Sequence, residues 1–172
     1  VNWRGKGSAP YAFTIANNAT IKEGSFRPTA PSHTMVISGT LEVQSGGNYG
    51  YSGGDFEVSS SIGAIDIKSG GNMYASTDLT TVGNGAIPAV FSNDGTFHHN
   101  SGSVTMEYGA GGDTIITGSS RTIFNKLNTG FGYAHSGFIV EDTWATTGDG
   151  GGATGFYKDG ANWAIGTTSS TG

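Results

Sequence analysis

The 172-residue chain carries 31 glycines, no cysteine, and 8 Lys or Arg against 13 Asp or Glu, for a formal net charge of −5. The missing cysteines exclude disulfides and thiolate metal sites, and cations scattered singly leave no basic stripe for nucleic-acid phosphates. Charged residues make up only 12% of the chain, about half the usual share, so Thr, Ser, Asn and Gly carry the surface, as in extracellular or particle-surface β structure.

The chain opens Val1-Asn-Trp-Arg4, with neither methionine nor signal peptide, as a trimmed or partial product would. Arg4-Gly-Lys-Gly7 is basic and glycine-rich but lacks the strand–loop–helix setting of a phosphate loop, and reads as a mobile terminus. Tyr11-Ala-Phe-Thr-Ile15 alternates like a strand. Ile21-Lys-Glu-Gly-Ser-Phe26 then shortens a turn that recurs downstream. Residues 1–32 read as an N-terminal cap or an atypical first rung.

Residues 33–140 carry a repeat. Leu41-Glu-Val-Gln-Ser-Gly-Gly-Asn-Tyr49, Ile65-Asp-Ile-Lys-Ser-Gly-Gly-Asn-Met73 and Ala89-Val-Phe-Ser-Asn-Asp-Gly-Thr-Phe97 follow one another every 24 residues. The first two have two apolar residues around a polar one, the alternation of a strand with one buried face, and the third carries Val90 at the middle position. Val43, Ile67 and Phe91 share one phase, and Leu41, Ile65 and Ala89 another. Gly47, Gly71 and Gly95 fall at the turn, where glycine reaches positive φ without a Cβ clash. Tyr49, Met73 and Phe97 restart the buried face. Carried both ways, the Val43 phase runs through Ala19, Ile115, Ile139 and Trp163. Phe56 and Val58 are followed in the same way by Thr80 and Val82, then by Val104 and Met106.

A fixed period of this length is the signature of a solenoid, in which no single rung buries its own apolar face. The expected fold is all-β, a right-handed parallel β-helix with rungs of about 24 residues stacked about 4.8 Å apart. The chain holds at most about seven such rungs. The alternative is an antiparallel β-sandwich or jelly roll, which also has short strands and glycine turns. No apolar run is long enough for a transmembrane helix. Residues 141–172 change character at Gly148-Asp-Gly-Gly-Gly152 and are rich in Gly, Ser and Thr. With Trp144, Phe156 and Trp163 they read as a C-terminal cap or subunit-contact segment.

Gly95-Thr-Phe-His-His-Asn-Ser-Gly-Ser-Val-Thr-Met106, with Asp113-Thr-Ile-Ile-Thr-Gly118 and Thr122-Ile-Phe-Asn-Lys-Leu127, resembles a β-solenoid repeat of large surface and virion proteins. That family includes bacteriophage fibre and appendage proteins and bacterial cell-surface proteins. The departure lies at Phe124, which directly precedes Asn125 where the family's strand has a tyrosine between. The resemblance implies a structural or adhesive role on a virion surface, as tail fibre, tailspike-like shaft or capsid decoration. It also implies a homo-oligomer, since fibre relatives are commonly trimers, in contact with other virion or surface proteins and with a host-surface glycan as candidate ligand. The alternatives are a bacterial surface adhesin or extracellular filament subunit and, third, a polysaccharide-degrading β-helix enzyme.

No residue stands out as catalytic, cofactor-binding or metal-binding. Glu42 and Asp66 share an outward phase and would suit calcium or acid–base chemistry, but Gln44 and Lys68 beside them make a neutralised polar ladder. His98 and His99 are adjacent, so on a strand they face opposite ways and cannot share a metal. No Gly-x-Ser-x-Gly elbow occurs. The threonines do not recur as Thr-x-Thr at one phase, so an ice-binding face is excluded. Asn18-Ala-Thr20 is a lone glycosylation sequon. The aromatics include no nameable sugar-stacking platform. The chain therefore reads as non-enzymatic, without cofactor, nucleic acid or membrane span.

Overall fold

The computed structural model describes residues 2–3, 12–28, 34–52, 57–83, 89–107, 114–130, 138–140, 144–146, 154–159 and 162–167. No helix occurs among them, and apart from one C-terminal hairpin every strand pairing is parallel. The antiparallel sandwich is thereby excluded, and the chain is a parallel β-solenoid. The strands in chain order are β1 (Asn2–Trp3), β2 (Ala12–Ile15), β3 (Ala19–Ile21), β4 (Gly24–Pro28), β5 (Thr34–Val43), β6 (Gly47–Tyr49), β7 (Ser59–Ile67), β8 (Asn72–Tyr74), β9 (Leu79–Val82) and β10 (Val90–Asn93). There follow β11 (Thr96–His98), β12 (Ser103–Glu107), β13 (Thr114–Thr117), β14 (Thr122–Phe124), β15 (Lys126–Gly130), β16 (Phe138–Val140), β17 (Trp144–Thr146), β18 (Thr154–Asp159) and β19 (Asn162–Thr167).

Each coil contributes to three faces. The first stacks β2, the start of β5, the start of β7, β9, β12 and β15. The second stacks β3, the end of β5, the end of β7, β10, β13 and β16. The third runs β1-β4-β6-β8-β11. Strands β5 and β7 pass from the first face to the second without a break, turning at Ser38-Gly39 and Gly63. The turn in β5 is a register irregularity between Ile37 and Thr40. There Thr40 N donates to Asn18 Oδ1 of the preceding coil at 2.9 Å.

Because side chains alternate across a strand, inward residues line up as columns along the axis. Met35, Ser60, Thr80, Val104 and Leu127 form one, and Ile37, Ile62, Val82 and Met106 a second. Leu41, Ile65, Phe91 and Ile116 form a third, and all four are buried. Tyr49, Met73 and Phe97 form another; Tyr49 and Met73 are fully buried and Phe97 packs at the core's margin.

The 24-residue phase holds from Val43 to Ile67 and from Ile115 to Ile139 but fails in between. Phe91 pairs with Ile65, 26 residues back, and the partner of Ile67 is Asn93. The cause lies in the number of residues between β9 and β10. Val82 pairs with Ile62 and Val90 with Ala64, so eight residues of this coil cover what two cover in the one before. Val82 therefore lies over Ile62, and not over Val58 as the repeat implied. At the start, Ala19 pairs with Leu41. At the end, Trp163 pairs with Lys158 in the antiparallel hairpin β18–β19 and so leaves the parallel stack. Phe56 lies outside the described residues.

The turn glycines are needed for a different reason from the one expected. Positive φ occurs one residue earlier, at Gly46 (81°) and Gly70 (80°), and not at Gly47, Gly71 or Gly95. Those three are held to glycine by proximity. A Cβ at Gly71 would run into the Val43 carbonyl and stand 3.0 Å from the Lys68 carbonyl. At Gly95 the carbonyls of Gly71 and Lys68 would each be 2.5 Å away.

Tyr49 is fully buried, its hydroxyl 3.0 Å from Ser60 Oγ. Burial outweighs that hydrogen bond and pushes the phenol up to about 12. An acid whose pKa is raised by folding gives stability that is intact below its unfolded value near 10 and lost as pH climbs through the folded value. Between those values the unfolded chain binds fewer protons, so stability falls by about 1.4 kcal/mol per pH unit, or about 2–3 kcal/mol in all. Lys68, raised by its hydrogen bond to Asp66 and then by that carboxylate's charge, acts in the same sense. Urea titrations at pH 9 and 11.5 should show this loss, and Tyr49→Phe should remove most of it. An equal loss in the Tyr49→Phe variant would disprove the assignment.

Candidate functional site

The polar ladder at Glu42 and Asp66 is present, each carboxylate engaged by the side chain two residues on. The two residues are in-register neighbours on β5 and β7. Gln44 Nε2 donates to Glu42 Oε1 at 2.6 Å, and Lys68 Nζ stands 2.7 Å from Asp66 Oδ2. Asp66 Oδ1 is shielded without a hydrogen-bond partner. Among the described residues no three His, Asp or Glu gather as metal ligands, and no helix is long and apolar enough to cross a membrane.

Among the described residues the strand ladder of the third face is broken between β11 and β14. The ladder that runs from β1 to β11 stops there, and β14 pairs instead with β17. The corner lengths explain the break. Residues 94–95 join β10 to β11, whereas residues 118–121 join β13 to β14, so the later corner is two residues longer and carries β14 out of step. Gly118 takes a φ of 116° in that corner. The corner is still tied to the coil before it. Asp94 Oδ1 accepts from Ser119 N at 2.8 Å and from Ser119 Oγ at 2.7 Å, which holds its carboxyl below the usual range. Ser120 N donates to the Asn93 carbonyl at 2.9 Å.

Inside the stack the two coils are joined by side chains. Phe91 meets Phe97 edge-on at 5.0 Å between ring centroids and Phe124 at 5.2 Å, and Phe97 lies 5.5 Å from Phe124. The buried Asn93 donates from Nδ2 to Thr122 Oγ1 at 2.9 Å and accepts from Gly95 N at 3.1 Å. This leaves an outer groove of about 470 Å³, within the range of small-ligand clefts. Phe97 and Ile123 form its apolar part, and His98, His99, Asn100, Ser101 and Arg121 its polar part.

The groove's lower wall is rigid. His98 stacks on Tyr74 of the coil below, rings 4.2 Å apart and 7° from parallel. Burial, then the neighbouring His99, holds the His98 imidazole below its usual value, so it is neutral at pH 7. His99 accepts from Ser101 N through Nδ1 at 2.9 Å. Asn100 and Ser101 both take left-handed backbone, with φ of 47° and 60°, a conformation that persists only where its surroundings enforce it. They do: Asn100 Nδ2 donates to the carbonyls of Tyr51 at 2.8 Å and Ala75 at 3.0 Å, and Asn125 Nδ2 donates to the Ser101 carbonyl at 2.7 Å. Arg121 is exposed and has no ion-pair partner among the described residues.

The structure brings His98 and His99 to one groove, and nothing in the sequence singled out Arg121 or the aromatic stack. The signal that was available is spacing, since Tyr74 and His98 lie one repeat apart and pair directly. No protein-family model matches the chain, and neither a curated protein nor a solved structure matches it.

Proposed function

We propose that the chain is a non-catalytic structural or adhesive component of a bacteriophage virion, exposed on its surface as part of a fibre, a tailspike-like shaft or a capsid decoration. The observation that carries this reading is the parallel stack itself. Ladders of backbone hydrogen bonds along the axis suit a stiff rod, and a surface of Thr, Ser, Asn and Gly suits an extracellular one. The resemblance of residues 95–127 to fibre and appendage repeats supports the same role. Glu42 is hydrogen-bonded by Gln44 and Asp66 is ion-paired with Lys68, which suits a polar ladder on a scaffold. Assembly as a homo-oligomer, with a trimer as the form common among fibre proteins, belongs to the same proposal.

Immunogold electron microscopy of the source culture, with an antibody against this chain, tests the reading. Label on the tails or heads of virus particles is the expected result. Label confined to cell envelopes or filaments overturns it in favour of a bacterial adhesin or filament subunit.

A further inference from the structure

We infer that the groove between β11 and β14 binds an acidic sugar residue of a glycan, the sugar ring lying against His98 and its carboxylate meeting Arg121. The inference deepens the adhesive part of the function proposed above and rests on it. Three features of the groove fit one such residue. First, His98 lines the groove, and its ring is braced by stacking on Tyr74 of the preceding coil. An aromatic ring so braced is a surface on which the C–H face of a pyranose stacks. Second, no strand is laddered to the β14-facing edge of β11, and such an edge presents main-chain donors and acceptors that match sugar hydroxyls. Third, Arg121 overhangs the same opening, is exposed, and has no carboxylate paired with it among the described residues. Its planar fork of donors matches a carboxylate bidentately.

Other ligand classes fit less well. A nucleic acid or polyphosphate would need several cations, whereas one arginine serves this groove on a chain of net charge −5. A neutral sugar would leave Arg121 unused. The site is also preorganised. The Asn100 and Asn125 side chains fix the turn carrying His99 and Ser101 from the coils on either side, so little ordering cost falls on binding.

Isothermal titration of the full chain with two acidic probes, trigalacturonate and 3′-sialyllactose, each against its neutral counterpart, galactotriose and lactose, decides the matter. At least one acidic probe should bind about tenfold more tightly than its neutral partner, the discrimination expected of a charge-assisted hydrogen-bonded pair. Arg121→Gln should abolish that preference, and Arg121→Lys should restore part of it. Arg121 is exposed, so both variants should keep the wild-type unfolding midpoint, which is measured alongside. Binding of neither acidic probe overturns the inference, as does equal binding of acidic and neutral probes, or an Arg121→Gln variant that keeps the preference. Each of these results leaves a purely structural virion role intact, because that role is decided by where the immunogold label falls.

Discussion

Phe91→Ala is expected to lower the unfolding free energy by about 3–5 kcal/mol, the range for deleting a large buried aromatic. Phe91 is fully buried, pairs with Ile65 below and Ile116 above, and touches the rings of both Phe97 and Phe124. The cavity left by its removal cannot close, because β10 is held in backbone ladders to β7 and β13 on either side. The edge-to-face contacts are lost as well, each worth about 0.5–1.5 kcal/mol beyond area burial. Val90 is the control. It sits next door on β10 but is only half-buried, and Val90→Ala should cost about 1 kcal/mol or less. Urea denaturation of the two variants, followed by circular dichroism, makes the comparison. Equal losses would mean that the aromatic cluster does not join the coils as described.

Gly71→Ala should cost about 3 kcal/mol or more, at the upper end of overpacking penalties. The added methyl meets the Val43 carbonyl of the coil below and the Lys68 carbonyl of its own turn, and neither is a flexible side chain. The same turn is closed by hydrogen bonds from Gly71 N to Lys68 O at 2.8 Å and from Lys68 N to Val43 O at 2.9 Å, so relief of the clash breaks cross-coil bonding. Gly24→Ala tests the alternative cause. Gly24 has a φ of 75° with nothing within 4 Å of an added Cβ, so only the left-handed backbone is penalised, by about 1–2 kcal/mol. If Gly24→Ala were the costlier change, dihedral strain and not coil-to-coil contact would be the reason for these glycines.

Glycine at 71 was legible in the sequence, but its cause was not. A repeat reports which residue recurs and not whether a dihedral angle or a neighbouring carbonyl requires it. The parallel fold was legible because Leu41/Ile65 and Val43/Ile67 keep both phase and alternation. The register of Phe91 was not, since six extra residues between β9 and β10 offset a shortening ahead of β9 and leave the average period near 24. Phe91 thus falls at the expected sequence position over the wrong partner. The groove was the least visible feature. It depends on a corner at residues 118–121 being longer than the corner at 94–95, and that comparison has meaning only once the flanking strands are paired. The Glu42–Asp66 ladder, by contrast, needed only the period-two rule and the repeat.

The break between β11 and β14 also gives the rod a direction of bend. In a solenoid each coil is held by its two neighbours alone, so bending stiffness at any level is set by that one junction. Here the junction keeps its backbone ladders on two faces and an aromatic plug of Phe91, Phe97 and Phe124 in the middle, with no strand ladder on the third. Flexing that opens or closes the third face strains no hydrogen-bonded ladder on that side, while flexing any other way stretches one. Bending at this level is therefore least resisted in the direction that opens or closes the third face, and a molecule seated in the groove would act as a wedge there.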